Sequence, residues 1–377
     1  MKTYLKLIIG ILFVICSLLF VVSASIASTS TADISIVAIG ARSVAMGGSG
    51  VAVAEANNTF VNPAVIASTK AWNFTSLSSQ VLGTVDYKFL SGNYKLAKGV
   101  LGVSYVGASS PAGYSTTDEL SLLSATPINY AASVVAVSYG LNFADFNMPE
   151  KLGEIAVGAN LKYFNQGFTG TSISDSGSGL GADIGILLLS NPNFTVGAAF
   201  QNLGTSRITW TNSYTDALES AARIGCAGKV LDGKILLAGD IEQSLSESSP
   251  VTLHAGVEWK PINLLALRVG IDQDAISSTA SVSNLCGGVG ISLFGFDVDL
   301  AYHQDAALSS NSNFYLSFSY APPVEKKADA SIAKKEIKNS DYPLQSVKKD
   351  NVTAEPHAKY SAPSHSQEYY KTTRMVK

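Results

Sequence analysis

The sequence predicts an all-β protein: a transmembrane antiparallel β-barrel of about fourteen strands, with an N-terminal hatch segment and a disordered C-terminal tail. Three observations carry this reading. Between 74 and 320 the chain runs in short segments that alternate apolar and polar residues, the period of half-buried strands. The connections between those segments alternate between short and longer, as the two rims of a bacterial barrel do. The composition fits: of 377 residues 46% are hydrophobic and only 15% charged, with 32 Gly, 16 Tyr and 15 Phe.

Composition also excludes some classes. An ordinary soluble domain carries about a quarter charged residues, and a disordered chain needs more charge and less hydrophobicity than this one has. An acidic balance with pI ≈ 5.8 offers no basic footprint for nucleic acid. Three Cys are too few for a disulfide scaffold. The charge is unevenly placed: residues 28–320 hold 13 basic against 22 acidic side chains, whereas 321–377 hold 11 against 7.

Residues 1–27 read as a secretory signal peptide. Lys2 and Lys6 precede an apolar run from Leu7 to Val22, and small residues lead to Ser25-Ile26-Ala27. That run falls short of the roughly 18–20 residues a membrane-spanning helix needs. Cleavage is expected after Ala27, with Ala24 as the alternative. Cys16 follows Ile15, where lipoprotein processing wants a small residue.

Residues 28–73 are the expected hatch. The stretch 38–67 is rich in glycine and small residues rather than strand-like, and Asn62-Pro63-Ala64 opens a short helix, with Asn as cap and Pro in the first turn. A barrel of about fourteen strands is wider than side chains alone fill, so a plug has room inside.

Residues 74–320 are the barrel. Strands are expected near 74–82, 84–94, 98–107, 131–142, 154–165, 178–189, 193–203, 218–228, 233–243, 250–259, 264–273, 284–293, 295–304 and 313–320. In 295–304, Phe296, Val298, Leu300 and Tyr302 oppose Asp297, Asp299 and His303. In 250–259, Val251, Leu253, Val257 and Trp259 oppose His254 and Glu258. The apolar faces are large and aliphatic with aromatics at strand ends, as on lipid-facing strands, while the polar faces are small with scattered charge. Two connections break the alternation, the short turn at Gly83 and the long 143–153. The last strand, Phe314 to Tyr320, resembles the C-terminal signal by which barrel assembly machinery receives its clients. Residues 321–377, rich in Pro, Lys and Ser without apolar periodicity, form the expected disordered tail, hanging in the periplasm.

Several short motifs, taken in order, resemble the PorV/PorQ family within the wider FadL-like group of outer-membrane proteins. They are Ala41-Arg42, Ala45-Met46-Gly47-Gly48, Val51-Ala52-Val53-Ala54 and Asn62-Pro63-Ala64, then Phe200-Gln201-Asn202-Leu203-Gly204, Ala255-Gly256-Val257-Glu258-Trp259 and Leu267-Arg268-Val269-Gly270. Val65 stands where that family has glycine. The resemblance implies a fourteen-stranded barrel with a hatch, and one of two roles: passage of hydrophobic small molecules across the outer membrane, or support of type IX-type secretion of exported proteins. It implies no enzymatic activity and no cofactor. The hatch motif residues are Arg42, Met46, Gly47, Gly48, Asn62, Pro63 and Ala64.

The parity of the strands places His254, Glu258, Arg268, Asp272, Asp297, Asp299 and His303 on lumen-facing positions. The bland reading is a solvated wall whose charges pair across strands; the functional one is a patch that binds a solute or the hatch. Arg42 has the sign to reach it. No zinc-like spacing of His and Cys stands out. Gly177 to Gly181 lacks the βαβ setting of a phosphate loop, and Gly47 to Gly50 lacks the elbow of a hydrolase nucleophile. Parity turns Cys226 outward and Cys286 inward, too far apart for a disulfide. Two other classes compete: a structural barrel anchoring envelope partners through its tail, and a secreted soluble β-sandwich.

Overall fold

The computed structural model describes residues 30–31, 33–36 and 39–323, apart from 82, 116–125, 147–153, 171–173, 192, 204–205, 247 and 308–311. The expected signal peptide and almost all of the expected tail lie outside the described residues.

The strands are β1 Ser30–Thr31, β2 Trp72–Val81, β3 Val85–Lys95, β4 Val100–Ser115, β5 Thr126–Asn142, β6 Glu154–Gly170, β7 Ser174–Asn191, β8 Phe194–Gln201, β9 Arg207–Trp210, β10 Thr215–Leu218, β11 Ala221–Val230, β12 Ile235–Ser244, β13 Thr252–Ile262, β14 Leu265–Ala275, β15 Ser281–Leu293, β16 Phe296–Gln304 and β17 Asn313–Tyr320. Fourteen of them, β2–β8 and β11–β17, close an antiparallel barrel. β17 pairs with β2, Tyr320 opposite Phe74, and β8 pairs with β11, Gly197 opposite Gly225. Closure removes every free sheet edge, which a backbone in lipid requires. It also overturns the soluble sandwich.

Alternation sorts the wall as expected. Along β16 and β17, Phe296, Leu300, Tyr302, Phe314, Leu316 and Phe318 are exposed outside, while Asp299, Ala301, Tyr315 and Ser317 are buried inside. Aromatics cluster where the barrel begins and ends: the rings of Trp72 and Tyr320 lie 5.1 Å apart and those of Phe296 and Tyr320 4.5 Å apart. Both barrel ends therefore meet at one rim. There the β15–β16 turn places Phe294 and Gly295 at positive φ, 53° and 87°, as a two-residue type I′ hairpin demands.

The strand boundaries differ most at the other rim. Segments 108–130 and 166–177 read as loops, yet β4 and β5 run to Ser115 and from Thr126, and β6 and β7 to Gly170 and from Ser174. These extensions are rich in Gly, Ser and Thr, with Pro111 and Pro127 among them, so the apolar alternation that signals a strand is weak there; they pair nonetheless, with a register shift between Pro111 and Gly113. The expected loop 204–217 contains the β9–β10 hairpin. β9 continues the wall beside β7, Trp210 opposite Gly177, and β1 adds to β10 in parallel.

The N-terminal segment lies inside the barrel. It holds a short 3-10 turn, Ile34–Ile36, then α1, Ala41–Ala45, and after it two further 3-10 turns, Ala56–Phe60 and Pro63–Ser68. The last opens as the sequence suggests: Asn62 caps it, its side-chain oxygen accepting from the Ala64 amide at 3.0 Å. Phe60, Val65 and Ile66 are wholly buried. The barrel starts at Trp72, two residues earlier than expected, because Trp72 and Asn73 already pair with β3.

The close fit of segment to wall explains part of the glycine content. A Cβ at Gly158 would collide with the Pro63 carbonyl, one at Gly197 with the Val51 carbonyl, and one at Gly270 with the Gly47 amide. Backbone approaches backbone at these places, and only glycine allows it.

Candidate functional site

The contacts between the N-terminal segment and the wall fall into three polar groups. The first centres on Arg42, carried by α1. Its guanidinium donates from Nε to Glu258 Oε2 at 2.7 Å and from Nη2 to Glu258 Oε1 at 2.9 Å, and it also pairs with Glu55. Glu258 stands opposite Arg268 in the β13–β14 ladder and accepts from Arg268 Nε at 2.7 Å. Arg268 donates onward to Asp299 on β16 at 2.6 Å. Burial alone lowers the affinity of Arg42 for its proton, but the two carboxylates Glu55 and Glu258 outweigh it and hold the guanidinium charged.

The second group is a buried carboxylate that binds backbone. Asp240 of β12 accepts from the amides of Gly50 at 2.6 Å and Val51 at 2.9 Å. The third is a buried triad. Lys162 of β6 donates to Asp33 and lies 2.8 Å from both Asp33 and Asp183, all three side chains being fully shielded from solvent. Asn202 reinforces it, donating to Asp33 at 3.0 Å. Burial pushes the Asp33 carboxyl up, but Lys162 and the donors around it, Ser35 and Asn202, pull it net below its ordinary value.

Neutral bonds fill the gaps between these groups. Asn62 donates to the carbonyls of Val51 and, on β7, Ile186. Asn160 donates to the Thr59 carbonyl at 2.9 Å and Gln201 to the Phe60 carbonyl at 2.7 Å. The Ala41 amide donates to the Ser317 hydroxyl at 3.2 Å. β6, β7, β8, β12, β13 and β17 thus all hold the segment.

On one side of it lies a cavity of about 460 Å³, between Ile39, Val44 and Gly48 of the segment and the ends of β11–β17 near the 245–251, 276–280 and 305–312 connections. Its wall is mixed, with Val61, Val81 and Pro250 beside the titratable Glu242, His254, Asp272, Asp274 and His303.

The structure brings together most of the wall residues singled out from sequence. Glu258, Arg268 and Asp299 form the first group. His254 sits with Nδ1 at 3.1 Å from the Gly47 carbonyl, and His303 pairs with Asp272 at 3.2 Å. Asp297 stands apart, bonded to Ser292 beside the β15–β16 turn. Of the hatch motif, Met46 is buried, Gly47 and Gly48 take positive φ of 67° and 70°, and Asn62, Pro63 and Ala64 build the capped turn. The expected solvated wall is corrected: Glu258, Arg268 and Asp299 are each less than a tenth exposed, because the segment covers them. Asp272, Cys286 and His303 lie together in the fold, a grouping their spacing in sequence does not announce.

Sequence reasoning missed Asp33, Lys162, Asp183 and Asp240. Lys162, Asp183 and Asp240 fall on lumen-facing parity positions, so for them the signal was present; Asp33 lies on no strand and had none. A single charge among small residues gave no reason to pair it with a partner more than a hundred residues away.

A closed fourteen-stranded barrel with an apolar outer belt, a polar interior and a segment lodged in its lumen defines a transmembrane β-barrel of the outer-membrane type. No protein-family model matches the chain, and no curated protein matches it in sequence. Solved structures do share the fold. The CymD monoaromatic hydrocarbon channel aligns over 78% of this chain and 100% of its own at 13% identity, with a TM-score of 0.54. The deltaS2S3 mutant of the TodX monoaromatic hydrocarbon channel aligns over 76% and 99% at 11% identity and 0.53. The Pseudomonas putida toluene transporter TodX aligns over 74% and 97% at 12% identity and 0.51.

Proposed function

We propose that the chain is an outer-membrane transporter of hydrophobic small molecules, with its N-terminal segment as a hatch across the lumen. The observation that carries this reading is the combination of a closed fourteen-stranded barrel, a fold shared with monoaromatic hydrocarbon channels, with an internal segment seated in its lumen on buried ion pairs and an apolar cluster shared with the wall. The rim where Trp72 meets Tyr320 faces the periplasm in this reading, the compartment to which residues 321–377 are assigned. Outer-membrane lipid covers the apolar belt, and barrel assembly machinery receives the β17 strand.

The charged side chains at one side of the cavity favour a second reading, suggested by the PorV/PorQ-like motifs: a barrel supporting type IX-type secretion, whose cargo is exported protein. The test is uptake of dilute labelled toluene by cells that have a lipopolysaccharide outer membrane and no channel of their own. Faster uptake with the protein than with an empty vector supports the transporter. Equal uptake, together with exported proteins co-purifying on the barrel, supports the secretion role instead.

A further inference from the structure

Three side chains on three consecutive strands converge at the cavity: Asp272 of β14, Cys286 of β15 and His303 of β16. The register brings them together. Cys286 stands directly opposite His303, and Asp272 is opposite Asn284, two residues before Cys286 on the same face. Cys286 Sγ lies 3.4 Å from Asp272 Oδ1, and His303 Nε2 lies 3.2 Å from both Asp272 oxygens. One ligand atom from each residue fits within a span of 4.8 Å.

The two separations from Asp272 match edges of a coordination tetrahedron, and a small side-chain adjustment within the 4.8 Å span closes the third. With metal–sulfur bonds of about 2.3 Å and metal–nitrogen or metal–oxygen bonds of about 2.0–2.1 Å, ligand atoms at tetrahedral angles stand roughly 3.3–3.5 Å apart. A thiol, an imidazole and a carboxylate make a mixed donor set. Such a set suits zinc and its neighbours, and does not suit calcium or magnesium, which take oxygen. The cavity supplies the open side that a three-ligand site keeps for water or a solute donor. A second observation points the same way. His254, opposite Asp272 in the β13–β14 ladder, lines the same cavity, and its buried Nε2 has no hydrogen-bond partner, Glu242 Oε2 being 3.6 Å away.

We propose that Asp272, Cys286 and His303 bind one zinc-class divalent cation, with the fourth coordination position open to the cavity. On binding, the Cys286 S–H bond breaks, its proton passes to water, and the sulfur–metal bond forms without any change of oxidation state. The site lies where the wall meets Gly47 and Gly48, so the ion would stiffen the strands against which the hatch rests. This inference concerns the site alone and stands whatever the barrel transports.

The test uses the mature chain folded in detergent, carrying Cys226→Ser, stripped by a chelator and titrated with Co²⁺ alone. The expected result is one ion per chain with a thiolate-to-cobalt charge-transfer band, abolished by added Zn²⁺. Cys286→Ser removes the band. His303→Ala and Asp272→Asn weaken binding by more than the about 10–100-fold that loss of an outer-shell partner costs, and Asp297→Asn leaves it unchanged. Retained heat-modifiable gel mobility shows that each variant has closed its barrel. For a variant that fails to close, the wild-type barrel answers instead: Zn²⁺ protects Cys286 from a small maleimide. No band in the folded wild-type barrel, a band that survives Cys286→Ser, or equal labelling with and without Zn²⁺ overturns the proposal. Any of these leaves the cluster as an Asp272–His303 ion pair to which the thiol donates.

Discussion

Arg42 and Glu258, 216 residues apart in sequence, meet through two parallel hydrogen bonds of 2.7 and 2.9 Å inside the barrel. The bidentate geometry fixes the orientation of α1 as well as its position. Because Glu258 also accepts from Arg268, the wall carboxylate belongs to a chain of alternating charges ending at Asp299. The N-terminal segment therefore completes a network that the wall has begun, and its removal would leave buried acidic charge short of a partner.

The Lys162 triad is the most deeply buried polar group joining the segment to the wall. Lys162→Ala leaves Asp33 and Asp183 without their cation, and breaking a buried ion pair from one side costs about 3–5 kcal/mol. The temperature at which the compact gel band converts to the unfolded one should fall clearly. Asp33→Asn should be milder, since Lys162 keeps Asp183. Equal effects of the two substitutions would contradict the arrangement.

Acid should loosen the same contact in a defined direction. The Asp33 carboxyl sits below its ordinary value in the fold, so its stabilisation is complete above the ordinary carboxylate range near pH 4 and is lost as pH falls through the lower folded value. The conversion temperatures of wild type and Asp33→Asn should differ by a constant amount at neutral pH and converge in strong acid. A difference that persists unchanged into acid would contradict this.

Backbone-to-backbone contact makes the wall glycines sensitive. Gly158→Val places its side chain against the Pro63 carbonyl. It should expose the N-terminal segment to protease while the barrel keeps its heat-dependent mobility. At Gly239 an added Cβ meets only an ordinary contact at 3.8 Å, so Gly239→Ala should leave protease resistance unchanged.

How much of this was legible in the sequence depends on the physics of each part. Period-2 alternation marks strands wherever lipid lies on one side, so the β11–β17 half was placed within a few residues. Where β4–β7 rise past the apolar belt, Ser176 to Gly179 and their neighbours face water on the outside, the alternation vanishes, and the strand read as a loop. The Asn62 cap was local and therefore visible. The Lys162–Asp33 and Asp240–Val51 contacts and the Asp272–Cys286–His303 cluster depend on register between strands, which one sequence does not print.

The two thiols of the barrel report on its parity. Cys226 is exposed on the outer face and Cys286 is buried inside. A maleimide too bulky to enter the lumen cavity should label Cys226 in the folded barrel and Cys286 only after unfolding, and gel mobility should not depend on reductant. Labelling of both in the folded state would show that the wall is not closed.

The central claim is that the N-terminal segment closes the lumen and is locked there by Arg42. The measurement that tests it most directly is ion conductance in a planar bilayer, wild type beside Arg42→Ala. Closure predicts almost no steady current through the wild type and frequent openings in the variant, because loss of the guanidinium frees α1 from Glu258. A wild type that conducts as a permanently open pore, or a variant with the same current as wild type, would contradict it.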